Sequence, residues 1–257
     1  IADMGMNYCR QRPLSDCFYI ADMAKMDTTL EKAEDLRAAI NNPNSYGAVY
    51  FPWLKMADPT GQSTEPISVP PSGFVAGLYA RIDASRGVWK APAGTEAILG
   101  GTVGLGTELT DSEHGDLNKD PKSVCVIRKF PGTGIVVWGA RTLSSDPEYK
   151  YIPIRRMAIM LRKSIYEGIQ WAVFEPNDES LWSQLRLNIG SFMMTLFRRG
   201  AFQGSTPSQA FFVKCDSETN PQEEIDLGIV NVLVGFAPLK PAEFVVVKIS
   251  QKAGQAS

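Results

Sequence analysis

The chain has 257 residues, 44% of them hydrophobic, with a formal net charge of −2 and a sequence pI of about 5.6. That is enough apolar material for one large domain plus a smaller one. The near-neutral balance argues against nucleic acid as the main partner, because phosphate binding needs a concentrated basic surface.

No apolar run reaches the roughly 18–20 residues that span a bilayer, so direct membrane insertion is not expected. The start, Ile-Ala-Asp-Met-Gly, has no basic stretch followed by an apolar one, which predicts no signal peptide. It is not a natural translation start either, and the chain is expected to be cut from a longer one. Cys9, Cys17, Cys125 and Cys215 make no C-x-x-C and no Cys/His zinc spacing. Reduced, mostly buried thiols are expected, in keeping with synthesis in the cytoplasm.

In chain order, Asp16–Ala21 reads as a buried strand. Thr28-x-x-Glu31 is a capping box opening a helix with Leu30, Ala33, Leu36 and Ile40 on one side, stopped at Asn41-Asn-Pro43. Ala48–Phe51 is a second strand, and strand, helix, strand at this spacing predicts an α/β unit with a parallel pair. Residues 58–73 read as a surface loop, 72–81 as a helix, and 94–121 as an irregular excursion. Val124–Ile127 and Gly134–Trp138 are two more strands. A helix carries Ile154, Met157, Ala158, Leu161 and Ile165. Another starts at Asn177 as N-cap, buries Leu181, Leu185, Ile189, Phe192, Met193 and Leu196, and ends at Gly200. Ala210–Val213, Ile229–Val234 and Glu243–Ile249 are strand-like. The fold class is α/β, α+β overall: an α/β core domain (1–145), a C-terminal helix-plus-sheet part with a terminal strand (146–251), and a flexible tail (252–257).

The chemistry-bearing patterns are weak. Gly100–Gly106 starts a dinucleotide fingerprint, but position 109 is Leu where the third Gly belongs. His114 is the only histidine, and no G-x-S-x-G elbow accompanies it. Glu175, Asp178 and Glu179 flank a helix start, where the dipole accounts for them without catalysis. Arg155-Arg156 and Arg198-Arg199 belong either to ordinary helix faces or to patches that steer subunits into register. No catalytic, metal or cofactor site is predicted. The alternative is an α/β enzyme with a site in the 94–121 loop, which would need His114 or the nearby carboxylates. Trp89, Trp138 and Trp171 are read as core or close-packing anchors.

Several ordered motifs resemble the contractile tail sheath proteins of phages and phage-tail-like injection particles. They are Tyr50-Phe-Pro-Trp-Leu54, Val69-Pro-Pro-Ser-Gly-Phe-Val-Ala-Gly77, Arg86-Gly-Val-Trp-Lys-Ala-Pro92, Val137-Trp-Gly-Ala-Arg-Thr-Leu143, Trp171-Ala-Val-Phe-Glu-Pro-Asn-Asp178 with Leu181-Trp182, Arg199-Gly-Ala-Phe-Gln-Gly204 and Pro241-Ala-Glu-Phe-Val245. The resemblance runs from about residue 16 to 251. It implies a non-enzymatic subunit that stacks helically around an inner tube and contracts to drive it through a target envelope. The implied partners are other copies of the chain, the inner tube protein, and baseplate and tail-terminator proteins. The implied location is a phage tail or phage-tail-like particle. Relative to the family, the N-terminal arm and first part of the α/β domain are expected to be missing.

The residues carry part of this independently. Val245, Val247 and Ile249 form one apolar strand face, and Phe244 and Val246 make the other largely apolar, with Lys248 beside them. Such a strand needs cover on both sides. Pro238-Leu-Lys-Pro241 before it disfavours helix and stiffens an extended link, which suits strand addition to a partner. A hairpin closing on residues 229–236 is the intramolecular alternative. Phe244 to Ile249 are therefore the expected inter-subunit strand, and Arg186, Arg198 and Arg199 the expected tube or subunit contacts.

Overall fold

A computed structural model of the chain describes residues 1–23, 30–41 and 43–243. The chain opens with helix α1 (Ala2–Gln11), then β1 (Tyr19–Asp22), α2 (Leu30–Ala39) and β2 (Gly47–Phe51). Next come β3 (Leu54–Met56), β4 (Ile67–Val69), α3 (Ser72–Arg86), β5 (Thr102–Leu105) and α4 (Asp111–Leu117). β6 (Val124–Phe130) and β7 (Gly134–Val137) precede the long helices α5 (Ile152–Gly168) and α6 (Glu179–Arg198). The last elements are α7 (Pro207–Ala210), β8 (Phe211–Lys214), α8 (Gln222–Asp226) and β9 (Leu233–Phe236).

The central sheet has the order β1-β2-β6-β7, parallel except for β7 at its edge. Its strands are apolar on both faces because both faces are covered, as parallel strands require. Ala48, Tyr50, Cys125 and Ile127 pack with Val75, Leu78, Tyr79 and Ile82 of α3. The alternate residues Val49, Phe51, Val124 and Val126 pack with Met6 of α1, Ala33 of α2 and Leu117 of α4. Tyr50 and Tyr79 are buried with their hydroxyls 2.6 Å apart, so neither polar group is left unpaired. Asp22, at the end of β1, accepts a hydrogen bond from the Ser72 amide (2.8 Å) at the start of α3, the end of the helix dipole that favours a carboxylate.

A second sheet, β4-β3-β5, is antiparallel, and β8-β9 makes a third, two-stranded one. α5 and α6 bury Met157, Leu161, Ile189, Met193 and Leu196 against Phe202, Ala210 and the β8-β9 pair. Two arginines join α5 to the central part. Arg155 is buried, stacks on Tyr149 (3.5 Å) and Tyr46 (4.4 Å), and donates to Ser45 Oγ (2.8 Å). Arg156 makes a forked pair with Asp83 (2.5 and 3.0 Å) and lies over Tyr79. This pair is consumed internally and is neither a solvated face nor a steering patch.

Several expectations shift. The first strand begins at Tyr19, not Asp16, and α1 was not expected because Met6 and Cys9 are its only buried residues. The 58–73 loop contains β4, and the 94–121 excursion contains β5 and α4, whose Thr110/Glu113 capping box is formed by both side chains. Thr28 lies outside the described residues. The α6 N-cap is Asp178, one residue past Asn177, and the strand expected at 229–234 is β9 at 233–236. Trp138 and Trp171 are not core anchors. Both are exposed, and Trp138 packs on Phe130 with ring centroids 4.6 Å apart. The buried tryptophans are Trp53 and Trp182, while Trp89 is partly buried and packs against the α5-α6 cluster.

Gly139 has no room for a side chain: a Cβ would stand 2.9 Å from Cys125 Cα and 3.2 Å from the Val126 amide nitrogen. Gly139→Ala is expected to destabilise by about 1–3 kcal/mol through overpacking. A lower urea midpoint at unchanged slope would show it.

Candidate functional site

α6 is held from its first turn. Asp178 accepts from the Leu181 amide (3.1 Å), and Glu179 pairs with Arg186 (2.5 Å), which holds its carboxyl below the usual range. Asn177 accepts from Trp182 Nε1 (2.9 Å) and donates to the Ile229 carbonyl (2.9 Å). Of the carboxylate cluster, Asp178 thus serves as cap and Glu179 as ion-pair partner.

The three arginines expected to make contacts separate. Arg186 turns along the helix, donating to Ser183 Oγ (2.8 Å) and to the Cys215 carbonyl. The Arg199 guanidinium lies 5.4 Å over the Trp89 ring. Arg198 is exposed and makes no ion pair among the described residues. It borders a groove of about 650 Å³ between α6 and the α7-β8 segment, with Leu187 (72% exposed), Met194 and Phe212 (53% exposed).

The β8-β9 ladder pairs Phe211 with Phe236 and Lys214 with Leu233. Beyond β9, the Ala237 amide donates to the Ala210 carbonyl and Phe202 bridges Pro238. Among the described residues this sheet has two strands, and an edge strand is where a further strand can pair. The expected exchange strand, Phe244, Val245, Val246, Val247, Lys248 and Ile249, lies outside the described residues.

The link of Pro238–Pro241 leads to Glu243, which sits at a cleft of about 990 Å³. Sequence reasoning missed the partner of that glutamate: Arg141, donating through Nε and Nη2 to its two oxygens at 2.7 Å each. Arg141 lies in the stretch Val137–Leu143 and Glu243 in Pro241–Val245. The ion pair spans 102 positions, which no local spacing rule detects.

His114 lies on α4 and lines the same cleft, with Arg128 and Trp138. Burial pushes its pKa down and Arg128 adds to the effect, against the opposing pull of Asp111. Arg128 is itself paired with Asp111 at 2.5 Å. Gly104 sits inside β5 opposite Lys55, not in a turn between a strand and a helix N-terminus, so the glycine run cannot cradle a pyrophosphate. Among the described residues no group of three His, Cys, Asp or Glu is placed to hold a metal, and no helix is long and apolar enough to cross a membrane.

The chain thus joins an α/β sheet to paired long helices and a small two-stranded sheet. Two family models match nearly end to end: the phage tail sheath protein central domain over residues 9–143 and the phage tail sheath C-terminal domain over 144–252. The chain belongs to the phage tail sheath family. It is 27% identical over 231 residues to a putative prophage major tail sheath protein of Pseudomonas aeruginosa (strain UCBPP-PA14), covering 82% of this chain and 57% of that one. It is 28% identical to the tail sheath protein of Vibrio phage KVP40, covering 68% of this chain and 25% of that one. Among solved structures it is similar to the sheath complex of an extracellular contractile injection system, PVC, in the contracted state. There the TM-score is 0.81 at 36% identity, covering 91% of this chain and 64% of that one. It is also similar to the contracted helical sheath of the anti-feeding prophage, with TM-score 0.79 at 31% identity over 95% and 64%. The chain spans less than two thirds of each of these relatives.

Proposed function

We propose that this protein is a structural, non-enzymatic subunit of a contractile sheath, polymerising helically around an inner tube and contracting to drive that tube through a target envelope. The observation that carries the reading is the β8-β9 sheet, which has two strands among the described residues and is followed in sequence by the Pro238–Pro241 link and the apolar run Phe244 to Ile249. Strand addition from a neighbouring copy extends that sheet and covers both faces of Phe244 to Ile249. On this reading residues 1–145 form the body and residues 146–251 the part that pairs with neighbours, with 252–257 as a tail.

The proposed partners are other copies of the chain, the inner tube protein, and baseplate and terminator proteins. The chain is made in the cytoplasm and assembled into a tail or tail-like particle. Contraction is a shift from a metastable packing to a better one, with strand pairing maintaining connectivity while the bodies rotate. Each added backbone hydrogen bond contributes about 0.5–1.5 kcal/mol net, so one shared strand holds neighbours by several kcal/mol.

Negative-stain microscopy of the chain expressed with its upstream residues, with and without tube protein, tests this. Hollow striated tubes are the expected result; discrete monomers even with tube protein added would overturn it. Arg198 is exposed and makes no ion pair among the described residues, which supports it as a partner contact. Arg198→Glu is expected to weaken tube binding about tenfold or more in a co-sedimentation assay at low salt, since an exposed charge contributes mainly by steering and is screened.

A further inference from the structure

We infer that Arg141 and Tyr151 form a clamp on Glu243 that fixes the point and direction at which the terminal segment leaves the body. The clamp is a property of the single chain; its consequence for assembly rests on the sheath reading above.

The socket is held by residues other than Glu243. Arg141 has only 9% of its side chain exposed, and Nη1 donates to the Asn118 carbonyl at 2.6 Å. The same nitrogen lies 3.4 Å from Asp120, which is held in turn by Lys150 at 2.6 Å. The Arg141 carbonyl is within 3.2 Å of Cys125 Sγ, in the middle of the central sheet. Arg141 also bridges Tyr151, the residue just before α5. The guanidinium therefore has one orientation, with its Nε and Nη2 edge left facing the cleft.

Glu243 fills that edge with both oxygens, and Tyr151 Oη donates to the second one at 3.0 Å. A forked, largely buried pair of this kind fixes direction as well as distance. At the other end of the link, Pro238 bridges Phe202. The stretch from Pro238 to Glu243 is thus pinned at both ends and stiffened by two prolines. Whatever pulls on the segment beyond Glu243 acts on Arg141 and, through it, on the central sheet. In an assembled sheath the clamp keeps the exchanged strand from being peeled out of its own subunit while the bodies turn.

A glutamate-specific protease reads the clamp directly on the 257-residue chain, with mass spectrometry following cleavage after Glu243. Exposed Glu218, in the turn after β8, serves as the internal reference. The wild-type chain is expected to be cut slowly after Glu243, because the carboxylate the protease must bind is engaged. Arg141→Met is expected to raise that rate about tenfold or more by releasing the local structure, with the rate at Glu218 unchanged. Tyr151→Phe, which removes one hydrogen bond without a cavity, is expected to give a smaller rise in the same direction. Equal rates after Glu243 in all three proteins would overturn the clamp, whether or not tubes form. In the tube-forming assay, Arg141→Met and Glu243→Ala are each expected to reduce tubes, and the double variant to be no worse than either single one. Additive losses would overturn the pair as a unit. Failure of the wild type to form tubes would count against the sheath reading and leave the protease result standing.

Discussion

Truncation after Glu243, removing residues 244–257, is expected to leave the described body folded and to abolish tube assembly. Among the described residues, the body's clusters draw on positions up to Phe236. The position of the cut matters. A truncation before Ala242 also deletes Glu243, the forked partner of the buried Arg141. It is expected to be less stable than the longer version by about 1–3 kcal/mol, because a desolvated charge is left with weaker partners. Thermal melts of the two truncations separate the structural effect from the assembly effect, and electron microscopy reads the assembly. Tubes of normal length from the chain ending at Glu243 would refute the exchange-strand assignment.

Trp182→Ala is expected to destabilise the protein by about 3–5 kcal/mol, the range for deleting a buried aromatic side chain. Trp182 is buried with Leu181, Leu185 and Cys215, and Ile169, Ile225 and Val232 pack around the same cluster. Its indole N–H donates to Asn177, which reaches on to the Ile229 carbonyl. One side chain therefore ties the start of α6 to the segment before β9. Trp182→Phe keeps most of the packing and loses that donor, so a cost of only about 1 kcal/mol is expected. Urea unfolding of both variants checks the ranking. Equal costs would mean that the hydrogen bond, not the ring, holds this corner.

The parts of the fold that were legible in the sequence are those where local pattern and burial agree. α6 was visible from Leu181 to Gly200 because a continuous apolar stripe, an acidic first turn and a terminal glycine all point the same way. β2 and β6 were visible as apolar runs bounded by polar residues. α1 was not, because two buried residues in ten leave no stripe to read. β4 and β5 were hidden inside glycine-, serine- and proline-rich stretches; they exist because β3 supplies hydrogen-bond partners on both its edges, and nothing local announces that. The basic pair Arg155-Arg156 misled for the same reason. Its partners, Tyr149, Tyr46 and Asp83, come together only when α5 lies against the body.

The sequence by itself determined the class of this protein. Its ordered motifs point to the sheath family, and the two sheath family models match over residues 9–143 and 144–252. What only the tertiary structure decided is which charges are spent and which are free. Arg141, Arg155, Arg156 and Arg186 are identical in type to Arg198, yet the first four are drawn into forks, stacks and carbonyl contacts while Arg198 stays in solvent. The physical reason is that an arginine's role is set by the dielectric and the acceptors around it. Those are supplied by residues up to about a hundred positions away, which meet it only in the folded chain.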